Sequence, residues 1–293
     1  METPTNSLGI VDSKFFLTLE IASDPISTTY SGTEFSSQKE YIIKVFNEKK
    51  KSLEQEIKMN EIVSNSRNPS FLKYVLSSSG PLVTDESNEY SYKPYIVFEK
   101  PTKGSLLDYL NNYNPTLSEK ICKFIFFQIL KSVQILHKIG ICHRNLKLQN
   151  ILLDGDNFNI KIGDFSKSFH LEDQKKFTTR RGKSFCGEKA DIFDLGVLLL
   201  SLVTGKSIVM QNNSRKFLEN YWKILEINSG NKKLSCEFKD LCSKMLAISS
   251  KERLDSIEEV LNHEWLKDIK ELNEDQIKEY EREMIKELES KKI

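Results

Sequence analysis

The stretch CHRNLKLQN, residues 142–150, runs into ILLDGDNFNIKIGDF, residues 151–165, and its reading decides the fold. Residues 142–188 form an extended, turn-rich segment containing the short runs NILLD and NIKIGDF. His143, Arg144, Asn145, Lys147 and Asn150 crowd its start in the manner of a catalytic loop. Two strongly apolar helices flank the segment. EKICKFIFFQILKSVQILHKIG follows Ser118, a good N-cap, is apolar on nearly every side, and ends in Gly140. ADIFDLGVLLLSLVTG reads the same way and ends at Gly205. Helices of this kind belong in the middle of a lobe.

Further out, residues 15–98 carry the strand-like runs FFLTLEI, EYIIKVF, FLKYVLSS and YIVFE, β-branched and aromatic, with turn residues between them. One helix interrupts them, KKSLEQEIKMNEIV, with apolar positions Leu53, Ile57, Met59, Ile62 and Val63. SSSGPLVTDESNEYS, residues 77–91, reads as a long polar loop between two strands. The expected layout is α+β and bilobal: a flexible N-terminus over 1–14, a small β-rich N-lobe over 15–98, a hinge over 99–104, a larger helical C-lobe over 105–270, and a charged helix over 271–293. Two unlike lobes imply a ligand cleft. Ile277, Tyr280, Met284 and Leu288 fall on one stripe of the last helix, which is expected to dock on the body; the alternative is a contact with another chain.

The 293 residues are enough to bury a sizeable core. A formal net charge of +1 gives no field favouring nucleic acid or an anionic membrane. METPTNSLGIVDS is polar and does not read as a signal peptide, and the densest apolar run, IFDLGVLLLSLV, is short of a membrane span. Cys122, Cys142, Cys186, Cys236 and Cys242 show no metal-ligand spacing; Cys122, Cys142 and Cys242 sit in apolar contexts as buried thiols. A reduced, cytoplasmic protein is expected.

HRNLKLQN followed by GDF resembles the eukaryotic protein kinase domain of the serine/threonine type, whose pattern is H-R-D-L-K-x-x-N and then D-F-G. YIIK, EQEIKM, YIVFE, KADIFDLGVLLLSLVTGKSI and FKDLCSKMLAISSKERLDSIEEVLNHEWL follow the family order, so the resemblance covers about residues 15–266. It implies ATP and Mg²⁺ as cofactors. Lys44 would grip the α- and β-phosphates and pair with Glu56. Asn150 and Asp164 match the metal ligands, hard oxygen donors suited to Mg²⁺. Lys147 matches the lysine that steadies the γ-phosphate, and His143 and Phe165 match structural positions. Phe98 falls at the gatekeeper position, the backbone of Glu99 and Pro101 would face the adenine edge, and Leu152 is either the adenine floor or a plain core leucine.

The chain departs from that pattern in four places. Asn145 replaces the catalytic aspartate; its amide accepts a hydrogen bond but cannot take a proton, and general-base catalysis is worth about 10²–10⁴ in rate. The glycine-rich loop is absent, its three positions falling on Ala22, Asp24 and Ser27, with Pro25 lacking an N–H. Aimed at a phosphate about 5 Å away, Asp24 would repel it by about 3 kcal/mol at an effective dielectric of about 20, although the stretch is expected to behave as a simple β-turn. Ile42 stands where the family places alanine against adenine, and Asn60 puts a polar atom needing a partner on the inner helix face. The activation segment is short, lacks A-P-E and has Ser166 after Asp-Phe, which leaves Arg253 in need of another partner. Thr178, Thr179, Arg180 and Arg181 read either as a phosphorylation site facing Arg144 or, preferably, as a solvated charged loop.

The leading expectation is therefore a pseudokinase, a regulatory or scaffolding module with residual Mg-ATP binding. The alternative is a weak or atypical serine/threonine kinase, and a third is a scaffold that binds no nucleotide. The partner class is a protein partner or protein substrate, with no nucleic acid and no membrane.

Overall fold

Period-two burial marks the strand that carries Lys44. In EYIIKVF, Ile43 and Val45 are buried while Ile42 and Lys44 turn to the opposite face and stay half-buried. The computed structural model of the protein describes residues 8–48, 51–83, 90–113, 117–176, 187–205, 208, 234–247, 249 and 251–290. The chain divides into two compact units, Met1–Thr102 and Lys103–Ile293.

In the first unit β1 (Gly9–Val11), β2 (Phe15–Ser23), β3 (Ser27–Glu34), β4 (Glu40–Phe46), β5 (Tyr74–Val83) and β6 (Tyr90–Glu99) close a barrel in the order β1-β2-β3-β4-β6-β5. Val11, Phe15, Leu17, Ile43, Val45, Leu82, Tyr95 and Val97 fill it. Two expectations are corrected here. Residues 9–11, taken as part of a flexible N-terminus, supply β1, which pairs with both β2 and β5 and buries Val11. Closing the barrel removes two open sheet edges, and that long-range pairing has no local signature in GIV. Residues 77–83, taken as loop, extend β5, with Ser77 opposite Ile96 and Leu82 opposite Ser91. Alternation overrides the low strand propensity of the serines, because Leu82 reaches the barrel interior. Residues 84–89 of that expected loop lie outside the described residues.

Helix α1 (Lys51–Asn65) buries Leu53, Glu56, Met59, Asn60 and Val63. Its inner face is thus more polar than the apolar stripe read from sequence, since Ile57 and Ile62 are only half-buried.

The second unit is mainly helical. The two-residue strands β8 (Ile141–Cys142) and β11 (Phe169–His170) pair with each other, and a short sheet, β10 (Asn159–Ile162), β9 (Ile151–Asp154) and β7 (Gly104–Ser105), is followed in space by α2 (Leu106–Tyr113), which contacts β7 and β9. Helix α3 (Glu119–Lys138) starts at Ser118, whose hydroxyl accepts the Ile121 N–H, and it buries residues on several faces. It stops at Gly140, where φ is +78° and a Cβ would meet His170 at 2.7 Å. Helix α4 (Gly187–Thr204) is the second central helix, with Leu195, Leu198, Leu199, Leu200 and Leu202 at 1% exposure or less. Helix α5 (Cys236–Met245) packs on α4, and α6 (Ile257–Leu261) and α7 (Lys267–Lys270) pack on α3.

The last helix, α8 (Glu274–Glu289), docks on its own unit as expected. Met284 and Leu288 are buried, Tyr280 packs on Phe124 with ring centres 5.4 Å apart, and the Glu287 carboxylate accepts both the N–H and the hydroxyl of Ser118 at 2.7 Å. Ile277, from the same stripe, stays exposed. Cys122, Cys142 and Cys242 are buried and reduced, and Cys186 lies outside the described residues. Among the described residues, no helix is long and apolar enough to cross a membrane.

Candidate functional site

Strand alternation sends Lys44 out of the barrel toward α1. Its Nζ donates to both oxygens of Glu56 at 2.9 Å and lies 5.3 Å from the Phe46 ring centre. Glu56 is almost fully buried, so this is a desolvated ion pair with two charge-assisted hydrogen bonds. One turn on, Asn60 donates to the Glu56 carbonyl at 2.8 Å, which supplies the partner its buried amide needs. Ile42 shares the Lys44 face and pairs with Phe98 across the ladder. Phe98 is buried edge-on to Tyr74, Glu99 is bridged by Lys39 and Lys73, and Pro101 is buried.

The β2–β3 hairpin at residues 23–27 settles what Asp24 does. Its Oδ1 accepts the backbone N–H groups of Ile26 at 2.7 Å and Ser27 at 2.8 Å, and its own N–H donates to the Ser27 carbonyl at 2.9 Å. Burial pulls the Asp24 pKa upward, but these two N–H bonds and the Lys44 charge outweigh it and leave the carboxyl below its ordinary value. The turn expected from sequence is present, and it aims its carboxylate at its own backbone. Pro25 has no N–H, and the two amides that follow it, at Ile26 and Ser27, are taken by Asp24.

In the second unit the loop is anchored from α4. Asp191 is fully buried and accepts from His137 Nε2 at 2.8 Å, the His143 N–H at 2.8 Å and the Arg144 N–H at 2.6 Å. Those bonds hold Arg144 at φ +62°, a left-handed conformation that costs a non-glycine residue about 1–3 kcal/mol. His143 is fully buried, and burial lowers its pKa. A carbonyl only accepts, so Nε2 carries the proton and donates to Gly163 at 3.0 Å, while Nδ1 accepts the Asn145 N–H at 3.3 Å. His143 thus ties the backbone at residue 145 to the peptide ahead of Asp164.

Asp164, also left-handed at φ +63°, lies at the centre. Its Oδ2 accepts from Asn145 Nδ2 at 2.6 Å and from Asn150 Nδ2 at 3.2 Å, and its Oδ1 accepts the Ser166 hydroxyl at 2.6 Å. Asn150 Nδ2 also reaches the Asn145 carbonyl at 2.7 Å. The Asn145 orientation follows from its neighbours: a carboxylate only accepts, so Nδ2 faces Asp164, and the Lys167 ammonium only donates, so Oδ1 faces it at 3.4 Å. Lys147 is exposed, and Leu152 is half-buried on β9 between Ser105 and Lys161. Phe165 is buried against the His143 ring, 5.1 Å between centres.

The fold therefore brings Asn145, Asn150 and Asp164 together in one unit, and Lys44 with Glu56 in the other. Several residues escaped the sequence reading: His137, Asp191, Lys167 and Asp194. A charged residue on an otherwise apolar helix was the available signal for Asp191 and Asp194, since such residues are rarely buried without partners. Burial and the Asp191 charge push the Asp194 carboxyl up to about 7, against the Leu146 N–H, Lys167 and Arg144. Arg253 has found new partners: Nη1 donates to the Lys189 carbonyl at 2.8 Å, Nε and Nη2 donate to that of Ala247 at 3.1 and 2.8 Å, and the guanidinium lies 4.8 Å from the Phe193 ring centre. Thr178, Thr179, Arg180 and Arg181 lie outside the described residues.

A barrel-strand lysine paired to a helix glutamate, and a histidine loop hung from a buried helical aspartate beside an Asp-Phe pair, make up the layout of the protein kinase fold. The sequence profile of the protein kinase domain matches residues 23–266, and the chain belongs to that family. It is 34% identical over 193 residues to NUAK family SNF1-like kinase 2 of Rattus norvegicus, covering 61% of this chain and 29% of that protein. It is 31% identical over 209 residues to the probable serine/threonine-protein kinase HSL1 of Saccharomyces cerevisiae, covering 66% of this chain and 13% of that one. Testis-specific serine/threonine-protein kinase 1 of Mus musculus is 34% identical over 194 residues, covering 59% and 52%. The chain thus spans about half or less of the relatives it matches.

Protein kinase domains as a family bind ATP with Mg²⁺. The side-chain amide oxygen of Asn150 and the Asp164 carboxylate are the hard oxygen donors such an ion prefers, so the donor types fit. The Asp164 carboxylate is nonetheless already engaged by Asn145, Asn150 and Ser166.

Proposed function

We propose that this chain is a protein kinase domain whose phosphotransfer is lost or severely impaired, and that it works as a regulatory or scaffolding module in the cytoplasm through a protein partner. One observation carries the reading: the side chain at the general-base position, Asn145, donates its N–H to Asp164 at 2.6 Å. A group in that role offers no carboxylate to take the proton of a protein hydroxyl. The Asp24 turn supports the same reading, because the hairpin amides at Ile26 and Ser27 are already occupied by a carboxylate. Asn150 and Asp164 are the residues to hold Mg²⁺, which would neutralise phosphate charge; Lys44, held by Glu56, would meet the phosphates, with Lys147 beside the outermost one. Phe98, Glu99, Pro101 and Leu152 would frame the adenine.

The second reading, a weak or atypical serine/threonine kinase, draws on the intact Lys44–Glu56 pair. Radiolabelled ATP and a generic basic protein substrate separate the two. Wild type is expected at background. Asn145→Asp is also expected to stay near background, because restoring the base leaves the Asp24 turn unchanged. A rise of about 10² or more in the variant would mean that base loss is the only defect and would favour the weak-kinase reading.

A further inference from the structure

The contacts of Asn145 say more than that a base is missing. An aspartate at this position would face the Asp164 carboxylate across the distance now spanned by a 2.6 Å hydrogen bond. Two carboxylates that close cannot both stay ionised without a cation between them. The Asn145 amide puts a positively polarised N–H in that place. Asn150 Nδ2 and the Ser166 hydroxyl add donors to the same carboxylate. Lys167 Nζ takes the other end of the Asn145 amide, and the His143 ring takes its backbone N–H, so the donor is fixed at both ends. A carboxylate offers about four lone-pair sites, and a small divalent ion demands near-octahedral geometry at short distance. Asp164 Oδ2 already accepts two donors and Oδ1 one, so an ion that draws on Oδ2 must displace a donor already in place.

We propose that Asn145 substitutes for a divalent cation at Asp164: its amide is a positioning group that orders this half of the site without metal and competes with Mg²⁺ for the carboxylate. This rests on reading Asp164 and Asn150 as the metal position of the proposed nucleotide site. The consequence is a site whose stability, and whose affinity for any nucleotide, is nearly independent of Mg²⁺.

The test is melting of the full chain in EDTA and in millimolar MgCl₂ without nucleotide, for wild type, Asn145→Asp and Asn145→Ala. Wild type is expected to melt at the same temperature in both. Asn145→Asp is expected to melt lower in EDTA and to recover by about 2–4 °C in MgCl₂. Asn145→Ala removes the competing donor without adding charge, so it keeps the test decisive if the aspartate variant does not fold; it too is expected to gain a Mg²⁺ response. A wild-type response as large as the variants', or two folded variants as indifferent to Mg²⁺ as wild type, overturns the proposal. The same samples titrated with a fluorescent ATP analogue should give a wild-type Kd that differs less than about twofold between EDTA and MgCl₂, and a ratio of about tenfold or more in Asn145→Asp. A larger wild-type ratio also overturns it. The metal-only melts need neither nucleotide nor turnover, so an active wild-type enzyme, or one that binds no ATP, refutes part of the functional reading and leaves this result to stand or fall by itself.

Discussion

At the scale of single residues, the site is built from polar groups that satisfy one another. Asp24 caps its own hairpin amides, Asn60 bonds the carbonyl of Glu56, and Asn145 bonds Asp164. Lys44 is the clearest functional probe. If a nucleotide binds, ATP at about a hundred times its Kd stabilises by about 2.7 kcal/mol, a rise of roughly 4–5 °C for a chain of this length. Lys44→Met should abolish that rise; a rise that survives the mutation would place the nucleotide away from the Lys44–Glu56 pair. Asp194 gives a pH prediction. Burial and the Asp191 charge raise its folded pKa to about 7 from an ordinary 3.8. The folded state then holds a proton that the unfolded chain has released, so this group makes stability fall as pH rises from about 4 to 7. Asp194→Asn mimics the protonated form and keeps an oxygen for the Leu146 N–H. Urea midpoints measured from pH 5 to 8 should fall more steeply in wild type than in the variant; parallel curves would remove Asp194 as the source.

At the scale of elements, α8 shows a hydrophobic stripe used inside its own unit. The capping box of Asn273 and Gln276 starts the helix, and Met284 and Leu288 lock it down. Glu287 reaches back to cap α3 through Ser118, so two helix ends share one carboxylate. Leu288→Ala should cost about 2–5 kcal/mol in chemical denaturation. A loss below about 1 kcal/mol would mean that the helix lies loosely on α3. β1 makes the complementary case. Three residues suffice for a strand because both of its edges are paired, to β2 and to β5.

At the scale of the whole molecule, the layout expected from sequence is present in kind: a β-rich first unit, a mainly helical second unit, and two long apolar helices at the heart of the latter. These were legible because their signals are local. Period-two runs such as EYIIKVF and the all-round apolar character of α3 and α4 need no partner to be recognised. The motif residues were legible because order and spacing survive even where a residue type changes, as at Asn145. What stayed hidden were pairings between distant segments: the closing strand β1, the serine-rich half of β5, and the anchoring of the loop on Asp191.

The sequence by itself determined the class of fold, the place of the loop and the loss of a carboxylate at residue 145, since periodicity, helix ends and residue chemistry are properties of short stretches. Only the tertiary structure decided what those residues do. The carboxylate of Asp24 could have faced a ligand, and it faces its own turn. The amide of Asn145 could have been a bystander, and it is bonded to Asp164. Direction and partner are set by segments 19 residues apart in the chain for that bond, and 47 or 48 for the Asp191 anchor, and no local pattern encodes a contact at that separation.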